Sequence, residues 1–76
     1  MEKPNTPEEM AERFNQIDGI EATLSSVVSG RTLVEVMDES AVGAFFAECR
    51  KNGYKRSATT RNDLDDTVLD SWVELE

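Results

Sequence analysis

Seventy-six residues, 38% hydrophobic and 32% charged, describe one domain close to the smallest size that supports its own core. Sixteen acids against eight bases leave a net charge of −8, which repels nucleic acid and anionic membranes and attracts basic surfaces. With no histidine and a single cysteine, the chain lacks the commonest general base, the Ser/His and Cys/His nucleophile pairs, the commonest zinc ligand and any internal disulfide.

Residues 1–5 read as a frayed tail and residues 6–76 as a single α+β domain. Thr6-Pro7-Glu8-Glu9 opens a helix: Thr6 caps it, Pro7 suits its first position and Glu9 completes a capping box. Met10, Ala11, Phe14 and Ile17 recur at helical spacing, and Gly19 is placed to end the helix. Residues 22–28 and 31–37 are rich in Val, Leu and Thr and read as a β-hairpin turning at Ser29-Gly30. A three-residue loop, Ser29 to Arg31, would pair Leu24 with Val36 and Val28 with Thr32. That register gathers Ala22, Leu24, Val28, Val34 and Val36 on one face and leaves Thr23, Ser25 and Glu35 on the other.

Asp38 is placed to cap a second helix running to about Lys51, with Val42, Phe45, Phe46 and Cys49 as its apolar stripe. Asn52-Gly53 supplies the stop. Tyr54 to Thr60 reads as a strand, Asn62 to Asp66 as a polar turn or the start of a short helix, and Ser71 to Leu75 as a last strand. In that strand Val73 and Leu75 point inward, and Trp72 points outward with Glu74 and Glu76. The expected fold is a small antiparallel sheet of three to four strands with two helices on one face, in the order α-β-β-α-β-(β). Phe14, Leu24, Val34, Val36, Phe45 and Phe46 are the expected core. Cys49 falls on the apolar stripe and reads as a buried structural thiol.

Charge is unevenly spread. Residues 49–62 hold five bases and no acid, residues 1–48 carry −7 and residues 63–76 carry −6. One consequence is internal: neighbouring strands at 56–61 and 71–76 would form cross-strand ion pairs. Asp63, Asp65, Thr67, Leu69, Ser71 and Glu74 fall at the ligand positions of a calcium-loop spacing, but Val68 stands where that loop requires glycine. No metal and no cofactor is expected, and no catalytic constellation stands out, so the chain reads as a non-enzyme.

The expected function is a small acidic protein-binding module. It would be a regulator or inhibitor that docks its acidic face on a basic protein surface, one that can itself be a nucleic-acid site. The candidate contact residues are Glu8, Glu9, Glu12, Asp63, Asp65, Asp66, Asp70, Glu74 and Glu76, with Trp72 as anchor. No direct nucleic-acid or membrane partner is expected, and the location is expected to be cytoplasmic. The alternative is a halophile-type acidic structural domain that forms a homodimer through a sheet edge, with no inhibitory role.

Overall fold

The computed structural model describes residues 4–61 and 68–75. They form α1 (Pro7–Asn15), β1 (Ile20–Leu24), β2 (Arg31–Val36), a single 3-10 turn (Glu39–Ala41), α2 (Val42–Asn52), β3 (Lys55–Arg61) and β4 (Leu69–Glu74). The expected α+β fold is borne out, with four strands and the order α-β-β-α-β-β. Every strand pairing is antiparallel, in the order β1-β2-β4-β3. Two hairpins therefore meet along their inner strands, β2 and β4.

α1 begins as its sequence dictates. Thr6 Oγ1 accepts the Glu9 N–H at 3.2 Å, and the returning arm of the box reaches one residue further, where the Asn5 N–H donates to Glu9 Oε2 at 2.9 Å. The helix stops at Asn15, before Gly19. Gly19 serves the strand that follows instead. Its φ is +85°, and a Cβ there would lie 3.1 Å from Asp38 Cβ, so it lets the entry to β1 pass close to the exit of β2.

The β1–β2 register differs from the expected one by four residues. Ile20 pairs with Val36 and Leu24 with Thr32, and the connection is six residues long, 25–30. A shift of four preserves which residues share a face, so Ala22, Val34 and Val36 still point inward. Leu24 and Val28, expected inside, are instead 40% and 41% exposed, and Val27 is 89% exposed. Two local anchors set this outcome. Ser25 Oγ accepts the Val27 and Val28 N–H groups and turns the chain early. At the other end Ile20, which the sequence pattern assigns to no element, joins the core as the first residue of β1.

Asp38 makes no side-chain cap, and the 3-10 turn leads into α2 in its place. Gly53, at φ +68°, closes α2 with the left-handed turn foreseen for it. Phe45 and Cys49 are buried, whereas Phe46 is only half-buried and lies under the Arg56 guanidinium, 4.7 Å from its ring centroid. β4 starts two residues earlier than expected, with Leu69, Ser71 and Val73 inward; Leu75 lies beyond the strand and packs against the core.

Both helices cover the same face of the sheet. Met10, Ala11 and Phe14 of α1 and Phe45 and Cys49 of α2 share one cluster with Ile20, Ala22, Val34, Val36, Leu69 and Val73. Phe14 sits at the centre, its ring 5.7 Å from Phe45 and 5.6 Å from Tyr54.

Candidate functional site

Among the described residues three places concentrate polar chemistry, and two of them serve the fold. The first lies between the helices. Glu48 of α2 is paired with Arg13 of α1, with Nε at 3.0 Å from Oε2, and both side chains are mostly buried. The Tyr54 hydroxyl donates to Glu48 Oε2 at 3.0 Å and Asn52 Nδ2 donates to the same oxygen at 2.9 Å. This carboxylate is thus shared among α1, the end of α2 and the entry to β3, as a structural tie.

Burial pushes the neighbouring Cys49 thiol up to about 11, with Arg56 pulling it back and Glu48 adding to the rise. Tyr54 is raised too, by burial first and then by its hydrogen bond to Glu48. Both groups hold their proton more tightly folded than unfolded. The stability that Cys49 contributes is complete below the ordinary thiol value of 9.0 and is lost as pH rises through about 11; that of Tyr54 is lost only at higher pH. We therefore expect the midpoint of urea unfolding to fall between pH 9 and pH 11, with a shallower fall in Cys49→Ala. Equal slopes in the two proteins would show that Cys49 does not titrate differently on folding. A thiolate-poor, buried sulfur is also a poor nucleophile, in line with a structural Cys49.

The second place is the pair of sheet edges, where self-association would occur. At the β1 edge the Asn15 carboxamide acts as a substitute strand: its Oδ1 accepts the Ala22 N–H at 2.8 Å and its Nδ2 donates to the Ala22 carbonyl at 3.1 Å. The Ile20 N–H is taken by the Ile17 carbonyl. At the β3 edge the register shifts between Ser57 and Thr60, and Ala58 takes φ +51°. The bulge brings Thr59 Oγ1 to 2.8 Å from Ser71 Oγ, which gives that buried hydroxyl a partner. Both edges carry the features that discourage strand addition.

The third place is the sheet face that neither helix covers. Because the Ser25 N–H donates to the Arg31 carbonyl, odd-numbered residues of β2 direct their backbone groups at β1. The pairs Arg31–Glu74, Leu33–Trp72 and Glu35–Asp70 are therefore of the non-hydrogen-bonded kind, in which side chains come closest. The Arg31 guanidinium bonds Glu74 Oε1 at 3.1 Å and lies 5.9 Å from the Trp72 ring centroid. Lys55 stands on the other side of Glu74 in register. This end of the face is charge-compensated.

At the opposite end, among the described residues, no base forms an ion pair with the acids. Glu21, Glu35 and Asp70 form a row across β1, β2 and β4, each directly beside the next. Like charges in such positions are destabilising. Asp70 Oδ1 is buried and has no hydrogen-bond partner among the described residues. Between the two ends lies the half-buried apolar pair Leu33 and Trp72. Among the described residues, no group of three His, Cys, Asp or Glu side chains is arranged to hold a metal ion.

The residues expected to make contact are divided by the fold. Asp70, Trp72 and Glu74 project together on the open face of β4. Glu8, Glu9 and Glu12 lie exposed on α1, across the sheet from them. Asp63, Asp65, Asp66 and Glu76 lie outside the described residues, as do the turn or helix expected at 62–66 and residues 1–3 of the expected tail. Of the calcium-loop positions, Leu69 and Ser71 point into the core and Glu74 is paired with Arg31. The ion pair of Glu74 comes from Arg31 of β2. Glu21 and Leu33 are not singled out from sequence, and Glu35 only as a residue of the outer hairpin face. Their only sign was alternation within the hairpin, which marks a solvent side and says nothing about which strand lies next to it. No helix among the described residues is long and apolar enough to cross a membrane. Comparison with protein-family models, with curated proteins and with solved structures finds no match, so the site stands on its own geometry.

Proposed function

We propose that this protein is a small acidic protein-binding module, a regulator or inhibitor that docks its open sheet face on a basic protein surface. The observation that supports it is the row of acids Glu21–Glu35–Asp70, with no ion pair to a base among the described residues, beside Trp72 and Leu33. Three carboxylates set side by side lower stability, and neither of the helices shields them. A basic partner would turn that repulsion into attraction, and the Leu33–Trp72 pair would supply a desolvated centre for the interface. At a net charge of −8 the same surface would repel a polyanion. Edge dimerisation is the weaker reading, because Asn15 occupies the β1 edge and a bulge interrupts β3.

The test compares two charge reversals of equal size against a partner captured from the source lysate and then purified. Replacing Glu21, Glu35 and Asp70 by Lys is expected to slow association about tenfold or more at low salt, with the difference shrinking as salt rises. The matching reversal of Glu8, Glu9 and Glu12 is expected to change the rate only about twofold to threefold, through net charge alone. If the α1 variant loses the partner and the sheet variant keeps it, the docking face is the helical one and this reading fails.

A further inference from the structure

We infer that the acidic end of the open sheet face is a subsite for an arginine side chain of the partner, with the guanidinium held by Glu35 and Asp70 against Trp72. This inference rests on the docking reading above and narrows it to one kind of contact. The argument comes from the near-symmetry of the face about the Leu33–Trp72 pair. On β4, Trp72 has Glu74 two residues to one side and Asp70 two residues to the other. Opposite Glu74 stands Arg31, which binds that carboxylate and lies over the indole ring. Opposite Asp70 stands Glu35, a second acid where the other end has a cation.

The chain thus contains its own example of what this surface accepts: a guanidinium beside a carboxylate, against Trp72. The second position has the carboxylate beside the same Trp72 and, among the described residues, no cation, and Asp70 Oδ1 accepts no hydrogen bond there. A planar fork of N–H donors can bridge two carboxylates and lie flat against an aromatic ring, whereas an ammonium offers a point charge that does neither as well. Glu21, the third member of the row, would sit beside a second basic residue of the partner. The occupant is accordingly an arginine-bearing basic protein segment, and not one defined by positive charge alone.

The probes are two short peptides of equal length and charge, one with two arginines separated by a single neutral residue and one with lysines in their place. Trp72 is the chain's one tryptophan, so its fluorescence reports the site directly. The arginine peptide is expected to bind about tenfold more tightly than the lysine peptide and to perturb Trp72 emission. Glu35→Gln with Asp70→Asn is expected to remove that preference, while Glu8→Gln with Glu12→Gln leaves it intact. The double amide variant retains the fold, because it relieves a like-charge contact; its urea midpoint is expected to be unchanged or higher. Equal affinity for the two peptides would overturn the arginine subsite and leave the docking reading standing. Binding of neither peptide would also overturn it, while the charge-reversal comparison with the protein partner would still decide the docking reading separately. Loss of preference in the α1 variant but not in the Glu35/Asp70 variant would put the subsite on the helix and sink the inference.

Discussion

Phe45→Ala is expected to remove a large share of the stability of the domain, about 3–5 kcal/mol out of a total on the order of 4–11 kcal/mol for a chain of this length. Phe45 is fully buried and packs on Phe14 at 5.7 Å and on Phe46 at 5.2 Å. It joins α2 to α1 at the centre of the molecule, and in so small a core neither helix can shift inward without uncovering the sheet. The lost ring leaves a cavity whose cost adds to the lost burial. Urea unfolding followed by circular dichroism and by Trp72 emission measures the change. Phe46→Ala serves as the comparison. Phe46 is half-buried with Arg56 over it, and its loss is expected to cost about 1–2 kcal/mol. If Phe45→Ala lowered stability by less than Phe46→Ala, the core would not be centred where the packing places it.

The second large effect is expected at Glu48. Glu48→Ala takes the shared acceptor from Arg13, Asn52 and Tyr54 at once. The two charged side chains are only 16% and 12% exposed, so solvent replaces the lost contacts poorly. A cost of about 2–4 kcal/mol follows, below that of a fully buried pair because some water reaches the site. Glu48→Gln keeps an acceptor for one donor but loses the charge, and is expected to cost about 1–2 kcal/mol. Exchanging both members for apolar residues, Arg13→Met with Glu48→Met, should recover much of the loss, since no charge is then left buried. A double variant as unstable as the sum of the single ones would show that Arg13 and Glu48 act independently, contrary to the geometry.

Local physics made part of this molecule legible in advance. Thr6 with Pro7, the stripe Phe45–Phe46–Cys49 and the left-handed Gly53 each act within a few residues, and each element formed where these signals lay. The hairpin shows where such reading stops. Alternation identified which residues of 31–36 face inward, but it is blind to an even-numbered slip. The register goes with contacts from outside the pattern, the Ser25 hydroxyl in the turn and Ile20 in the core.

The candidate face shows the same division more sharply. Composition and periodicity already specify an acidic α+β domain, with Trp72 on the same strand face as Glu74 and a basic stretch ahead of an acidic one. The position of β4 between β2 and β3 emerges only when the sheet is assembled. That placement sets Asp70 against Glu35 and Glu74 against Arg31, and puts Glu8, Glu9 and Glu12 on the other side of the sheet. The physical reason is that a strand's own pattern specifies which of its faces is buried, whereas its neighbour is chosen by the fit of the whole core. Charges brought together by that choice carry no local signature in the chain.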